Sequence, residues 1–243
     1  MTYLNQNRMH ELDPVTFRSQ SPFPWINPEG FLTDAGYERL VETLPDVSMF
    51  EKTFGYKRMH GQQSHDRYAL EYHDDLDVAQ PWKEFISELR GEAYQAFIRR
   101  MLGIQRFDMN FHWHYAPSGC SVSLHCDARR KYGSHVFYFN TSKDWDPDWG
   151  GQTLVVDDKG QLNHTASPGF GDLERVAASQ AIGNYSLLFE RGEHSWHGVE
   201  ELRCPKDRMR KVFIVVINRL TPSIHLRRLF GNLPKGLRSL SSM

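Results

Sequence analysis

Three residues of the chain are suited to hold one metal ion. His125 and Asp127 stand two positions apart. Residues two apart in a β-strand point to the same face, so one imidazole and one carboxylate can reach the same ion while Cys126 points away. His197, far downstream, would complete the set, and two histidines with one carboxylate leave three positions of an octahedral ion open, which suits iron(II), a chelating cosubstrate and oxygen. The sequence therefore predicts a metal centre at His125, Asp127 and His197.

Other histidines provide competing ligand sets. His194 is an alternative distal ligand, although it falls in the turn before His197. The run 73–75, His-Asp-Asp, repeats the His-x-Asp spacing, but it lies in an acidic stretch typical of a solvated loop. His112 and His114 are compatible with a cupin metal site, but no glutamate follows them at a suitable spacing. We therefore expect this pair on the polar face of a strand.

Further motifs surround the candidate ligands in a fixed order. In chain order they are Tyr115, ten residues before His125, the strand-like run 135–140 (HVFYFN), the run 144–146 (DWD), the run 149–154 (WGGQTL), the run 197–199 (HGV) and the basic residue Arg210. On this ordered set, residues 108–219 resemble the iron(II)/2-oxoglutarate-dependent dioxygenase superfamily, and within it the prolyl-hydroxylase-like branch. Residues 1–107 carry no comparable motif.

The resemblance implies an enzyme that couples 2-oxoglutarate to the oxidation of a substrate. In that family the C1 carboxylate and C2 carbonyl of 2-oxoglutarate chelate Fe(II), O2 is the oxidant, and succinate and CO2 are released. Ascorbate is a candidate reductant. A hydroxylase acting on a C–H bond is expected, because Asp127 stands where halogenating members need a small residue that leaves room for chloride.

A basic residue opens the last apolar strand. A guanidinium at the mouth of an apolar barrel can hold a distant carboxylate through two parallel charge-assisted bonds. In the resembled family that carboxylate is the C5 end of 2-oxoglutarate, and Arg210 is the candidate, with Arg208 and Lys211 as alternatives. Tyr115 and Tyr138 align with tyrosines that contact the same carboxylate, although either could instead fill core volume.

Hydrophobic periodicity divides the chain into a helical and a strand-rich part. One helix is predicted after Asp34, and a second from Pro81 to Gly103, bent or split at Gly91. From Phe107 the apolar period changes to two. Short strands are predicted near residues 120–127, 134–140, 152–157, 185–190 and 211–217, and the polar stretch 157–183 is predicted to be a long loop between strands.

These elements predict a mainly β fold with helical N-terminal support. The type is a jelly-roll, cupin-like double-stranded β-helix barrel, which is also the fold that the resemblance implies. Within one structural domain, we expect residues 1–107 to form the helical support layer, residues 108–219 the catalytic core and residues 220–243 a basic C-terminal helix or tail.

Composition limits the location and the partners. A formal net charge of −1 gives no general attraction for nucleic acid. The three cysteines form no C-x-x-C pair, and the start of the chain lacks the apolar run of a signal peptide, so we expect a cytoplasmic protein without a membrane partner. The oligomeric state stays open.

The substrate is expected to be a small molecule or an amino-acid-type compound. A free amino acid, a natural-product intermediate, a peptide side chain and a nucleotide all remain alternatives. Arg129 and Arg130, with Lys131, follow the metal-binding strand directly. If this turn lies at the barrel mouth, their charges favour an anionic substrate; the alternative is a solvated turn.

Two other functions fit the same metal ligands. One is a cupin-type metal enzyme that does not use 2-oxoglutarate. The other is a non-enzymatic barrel that binds a metal or a small ligand. Arg210 discriminates between these and the oxygenase, because neither alternative requires a cation opposite the metal, whereas the fold is common to all three.

Overall fold

The computed structural model describes residues 1–56 and 62–220. The helices are α1 (Gln6–Glu11), α2 (Pro14–Arg18), α3 (Asp34–Glu42), α4 (Gln80–Leu89) and α5 (Glu92–Leu102). The strands are β1 (Trp25–Ile26), β2 (Glu51–Thr53), β3 (Arg67–Glu71), β4 (Asp108–Pro117), β5 (Val122–His125), β6 (Lys131–Tyr138), β7 (Leu154–Asp157), β8 (Glu174–Ala178), β9 (Ser186–Glu190), β10 (His197–Val199) and β11 (Met209–Asn218). The predicted basic segment 220–243 lies, apart from residue 220, outside the described residues.

The strands form two antiparallel sheets. The larger sheet has the order β1-β9-β6-β11-β4-β3-β2, and the smaller has the order β5-β10-β7-β8. From β4 to β11 the chain places four strands in each sheet, which is the double-stranded β-helix arrangement of a jelly roll. The predicted fold class is therefore confirmed. No helix among the described residues is long and apolar enough to span a lipid bilayer.

The helices cover the outer face of the larger sheet. Trp82 and Phe85 of α4 lie with their ring centroids 5.2 and 5.6 Å from Phe213 of β11, and Phe85 is 5.7 Å from Phe137 of β6. Each of these side chains is fully buried, and burial of one such ring contributes about 1.5–3 kcal/mol. The predicted apolar stripe of the second helical region is therefore the core-facing stripe.

Local signals explain where these helices begin and end. Gly91 is the N-cap of α5, so it splits the predicted long helix in two. Gly103 ends α5 with a φ of +65°, a left-handed conformation that glycine adopts without strain. The cap of α3 is Thr33, whose hydroxyl accepts from the backbone N–H of Gly36, and the helix predicted after Asp34 begins at Asp34 itself.

Several strands were not predicted. The region 1–107 contributes β1, β2 and β3 to the edges of the larger sheet, so it is not purely helical. The predicted loop 157–183 contains β8, which pairs with β7. These strands are two to five residues long, too short for a clear period-two pattern, and pairing with a neighbouring strand rather than local propensity defines them.

Strand register decides which side chains face the space between the sheets. Arg210 pairs with Ala116 and Lys211 pairs with Tyr115, and directly paired residues share a face. Phe213 and Lys211 share the helix-covered outer face, because they are two apart. Arg210 therefore lies on the inner face.

Candidate metal centre

The three predicted ligands meet between neighbouring strands of the smaller sheet. His197 of β10 is the direct cross-strand partner of His125 of β5, and their ring centroids are 4.5 Å apart. One ligand atom from each histidine and one from Asp127 all lie within 4.8 Å of one another. All three residues are buried, with exposures of 8%, 7% and 7% for His125, Asp127 and His197. The geometry fits a single ion.

Hydrogen bonds set the ring nitrogen that faces the ion. The Nδ1 atoms of His125 and His197 lie 2.9 Å from the backbone carbonyls of Ser123 and Ser195, respectively. A carbonyl oxygen only accepts, so each Nδ1 carries the proton and donates it. In these neutral rings the Nε2 lone pair is then the ligand atom, and this support by backbone carbonyls is typical of metal-binding histidines.

The carboxylate of Asp127 is held by polar contacts beyond the end of β5. Lys131 Nζ lies 2.6 Å from Oδ1, and Ser134 donates to Oδ2 at 3.0 Å. Arg191 Nε donates to the backbone carbonyl of Asp127 at 3.0 Å. Burial opposes ionisation, but the positive charge and hydrogen bond of Lys131 act against it, and the pKa of Asp127 lies below its usual value. A deprotonated carboxylate is the form that binds a metal.

The competing histidines lie elsewhere. His194 is 45% exposed at its side chain, and its Nδ1 is 2.8 Å from Asp158 Oδ2. His73 is exposed and 3.8 Å from Asp75. His112 and His114 face the interior, and burial, with nearby positive charges, lowers the pKa of both. Within residues 1–56 and 62–220, the His125, Asp127, His197 set is the cluster with metal-ligand geometry.

Arg210 is buried on the inner face, 9% exposed. Its Nε donates to Gly151 O at 2.7 Å, its Nη2 donates to Thr153 Oγ1 at 3.4 Å, and its Cζ lies 5.6 Å from the ring centroid of Tyr138. Burial lowers the pKa of the guanidinium. Among the described residues no carboxylate lies within ion-pair distance of it, so its charge is available to an anion that enters the site.

The Gly-Gly turn makes room for this arginine. A Cβ on Gly151 would lie 3.3 Å from the Arg210 side chain, and Gly151 has a φ of +96°. Both the close approach and the left-handed backbone favour glycine there. The 149–154 motif therefore shapes the arginine pocket.

The two predicted tyrosines lie on opposite faces. Tyr138 pairs with Val212 on the inner face, and its hydroxyl is 2.9 Å from Thr153 Oγ1 and 2.8 Å from Ser179 Oγ. Tyr115 was wrongly expected to contact the cosubstrate. It lies on the helix-covered outer face, because neighbouring residues of a strand alternate between faces. There its hydroxyl donates to Pro45 O at 3.1 Å.

The alternative cations do not reach the inner face. Lys211 lies on the outer face with its Nζ 2.9 Å from Asp144. Arg208 precedes β11, is 42% exposed at its side chain and lies beside Asp207. Arg210 is therefore the buried cation of this strand on the side of the metal ligands.

The predicted substrate arginines lie at the surface. Arg129 and Arg130 are exposed; Arg129 pairs with Glu193 at 3.3 Å and Arg130 donates to Asn218 at 2.7 Å. Of these three residues only Lys131 turns inward, to the candidate ligand Asp127. The first two contacts do not support a role for these arginines in substrate binding.

Several interior residues were missed by the sequence reasoning. They are Ser123, Ser134, Thr153, Ser179, Ser195 and Arg67, which hydrogen-bond the ligands, line the arginine pocket or face the interior. Thr153 belongs to the 149–154 motif and could have been identified there. The serines and Arg67 carry no local pattern, since their roles depend on which strands become neighbours.

Several solved structures share the fold of this chain. A prolyl-4-hydroxylase of Pseudomonas putida has a TM-score of 0.60 and 17% identity, covering 86% of this chain and 99% of that chain. The fold is that of the prolyl hydroxylases. A prolyl hydroxylase of Trichoplax adhaerens, solved with a hypoxia inducible factor peptide fragment, has a TM-score of 0.60 and 14% identity, covering 94% of each chain.

The prolyl-hydroxylase fold also occurs in enzymes with other chemistry. The non-heme alpha ketoglutarate dependent carbocyclase SnoK, from nogalamycin biosynthesis, has a TM-score of 0.59 and 13% identity, covering 94% of this chain and 95% of that chain. No model of a protein family and no curated protein matches the sequence. The likeness is therefore one of structure, and it agrees with the resemblance carried by the motifs.

Proposed function

We propose that this chain is an iron(II)- and 2-oxoglutarate-dependent oxygenase that hydroxylates a C–H bond of a small-molecule or amino-acid-type substrate. The observation that carries the proposal is Arg210, a buried guanidinium without a carboxylate partner among the described residues, on the inner face of the sheet opposite the His125, Asp127, His197 set. A dicarboxylate that chelates a metal at one end requires a cation at the other.

The donor set suits iron(II) with open positions. When bound, iron and 2-oxoglutarate supply the oxidising chemistry, with release of succinate and CO2. The chain supplies binding and orientation: the three ligands hold the ion, and Arg210, set in place by Gly151 and Thr153, would bind the C5 carboxylate.

Aromatic and imidazole rings enclose the metal position. Phe189 lies with its ring centroid 4.4 Å from that of His197, and His65 lies 4.6 Å from His125. These rings would limit the access of water to the ligand atoms, which would strengthen the electrostatic interactions in the site and protect a reactive centre from side reactions.

Release of succinate from 2-oxoglutarate tests the proposal. With Fe(II) and O2, we expect wild-type protein to form succinate while consuming oxygen, and His197→Ala to form none. Arg210→Gln should keep its iron but need at least about 30-fold more 2-oxoglutarate, and Arg208→Gln is the matched control that keeps the wild-type requirement. Metal binding without any 2-oxoglutarate-dependent succinate would favour a cupin-type enzyme or a binding barrel instead.

A further inference from the structure

A second, partly buried cation shares the inner face with Arg210. Ala69 of β3 pairs with His114 of β4, and Arg67 lies two residues before Ala69 on the same face. Arg67 is thus level with Ala116, which pairs with Arg210 on the other side of β4. Two strand spacings separate the two arginines, about 10 Å between their backbones. The interior therefore carries two guanidinium groups in one row.

The contacts of Arg67 hold its guanidinium in one orientation. Its Nη1 donates to the backbone carbonyl of His65 at 2.7 Å, and its Nε donates to His114 Nε2 at 3.4 Å. The ring of His65 lies 4.6 Å from the metal ligand His125. Arg67 is therefore linked through one residue to the metal centre.

Arg67 has no carboxylate partner among the described residues. Burial lowers its pKa, and the nearby charge of Asp66 opposes this shift, but the Asp66 carboxylate is engaged by Gly55 N and Ser64 Oγ. The segments 57–61 and 221–243 contain no Asp or Glu, so no acidic side chain there can serve. A desolvated cation is stabilised by an anion that enters the site.

Apart from Asp66, the charges near Arg67 are positive, and the imidazoles beside it are neutral. Burial, followed by the charges of Lys131 and Arg67, lowers the pKa of His112 to about 4, and the pKa of His114 lies well below its usual value. The charge of Lys131 is balanced by Asp127 at 2.6 Å. With the cosubstrate assigned to Arg210, Arg67 remains as an inner-face cation without an ion-pair partner among the described residues.

We propose that Arg67 binds a carboxylate of the substrate, so that the substrate is a small monocarboxylate presented to the metal from the β3 side. This inference rests on the proposed function, since it takes Arg210 as the cosubstrate anchor. With Nε and one Nη1 proton engaged, the remaining Nη1 and Nη2 protons form the edge that pairs with a carboxylate through two parallel bonds. One guanidinium among neutral imidazoles matches one negative charge better than the two of a phosphate.

Binding of butyrate and butyramide tests the proposal without turnover. Zn(II) binds histidine and carboxylate ligands but has no redox chemistry, so protein loaded with Zn(II) and saturated with 2-oxoglutarate is a stable complex. We expect calorimetry to show that wild type binds butyrate at least tenfold more tightly than butyramide. Arg67→Gln should lose this preference, Arg67→Lys should keep part of it, and both should keep the 2-oxoglutarate affinity of wild type within about twofold.

Arg130→Gln is the control, because it removes an exposed cation that contacts Asn218 at the other end of β11, and it should keep the preference. The inference is overturned if wild type shows no preference for butyrate, if Arg67→Gln retains it, or if Arg130→Gln removes it. It is also overturned if Arg67→Gln weakens 2-oxoglutarate binding as Arg210→Gln does. If wild type does not bind 2-oxoglutarate, both the proposed function and this inference are overturned. If wild type binds 2-oxoglutarate normally but shows no preference for butyrate, only the inference is overturned.

Discussion

At the residue scale, the candidate metal ligands could be predicted from the sequence, whereas the hydrogen bonds that orient them could not. His125, Asp127 and His197 are residue types that ligate iron and stand in a recognisable motif context. The hydrogen bonds from Nδ1 to Ser123 O and Ser195 O depend on side-chain rotamers that spacing does not reveal. The same limit applies to Arg67, which becomes a site residue only through the pairing of β3 with β4.

Replacement of each histidine in turn is expected to show whether His197 or His194 is the distal metal ligand. His197→Ala should weaken iron(II) binding roughly 100-fold or more, because it removes a ligand and leaves a two-ligand site. His194→Ala, the matched control, should bind iron as wild type does, since His194 is paired with Asp158 at the surface. Metal titration of both variants decides this, and the opposite ranking would assign the ligand to His194.

The bond from Ser134 to Asp127 offers a finer prediction. Ser134 Oγ donates to the ligand carboxylate at 3.0 Å, and loss of such a supporting bond typically costs 10–100-fold in metal affinity or activity. Ser134→Ala should therefore lower iron affinity by about that factor without unfolding the chain. Wild-type iron affinity in a folded Ser134→Ala variant would show that Lys131 alone orients the carboxylate.

At the element scale, long periodic segments were predictable and short edge strands were not. Burial on one face explains the apolar stripes of α4 and α5. It also explains the strands between β4 and β11 in which every second residue is apolar. The error at Tyr115 has the same origin: its apolar neighbours two and four residues away, Trp113 and Phe111, already assign it to the helix-covered face, whereas the ten-residue spacing to His125 carries no information about faces.

The close contact between β5 and β10 should be sensitive to one methyl group. A Cβ on Gly198 would lie 2.7 Å from Val122 O and 3.0 Å from Leu124 Cδ2, so Gly198→Ala must push the two ligand-bearing strands apart. We expect a loss of about 1–3 kcal/mol in the free energy of unfolding and weaker iron binding. Denaturant melts and metal titration measure both.

Gly171→Ala is the matched control for this substitution. A Cβ at Gly171 would have no neighbour within 4 Å, so stability and iron binding should stay at wild-type values. Equal behaviour of the two variants would mean that the strands tolerate separation and that their spacing does not set the metal geometry.

At the scale of the whole molecule, net charge conceals the charge of the interior. The chain as a whole has a formal charge of −1, yet Arg67 and Arg210 both face the space between the sheets without a carboxylate partner among the described residues. Whole-chain composition gave no general attraction for a polyanion, and it did not indicate that two cations face the interior. Their position follows from strand order, which sequence patterning alone does not determine.

Stability is expected to fall on mild acidification. His135 is fully buried, and burial lowers its pKa to about 3. The unfolded chain therefore binds a proton at this histidine near pH 6.5 while the folded chain does not, so the free energy of unfolding decreases as the pH falls from 6.5 toward 4, by about 3 kcal/mol for this group.

His135→Asn should flatten that pH dependence, whatever its effect near neutral pH. Chemical denaturation of the metal-free protein at a series of pH values measures it, and His73→Asn, which alters an exposed histidine, is the control with the wild-type slope. An unchanged slope in His135→Asn would mean that other groups cause the acid sensitivity.

The central claim is that 2-oxoglutarate is held at one end by the metal and at the other by Arg210. Its most direct test is calorimetric titration of 2-oxoglutarate into anaerobic protein, with and without Fe(II), for wild type and Arg210→Gln. We expect iron-loaded wild type to bind one 2-oxoglutarate per chain, and protein without iron to show no measurable binding. In Arg210→Gln the affinity should be at least 30-fold lower, which corresponds to the loss of a buried charge pair of about 2 kcal/mol or more. Binding that is independent of iron and of Arg210, or absent from iron-loaded wild type, would contradict the account.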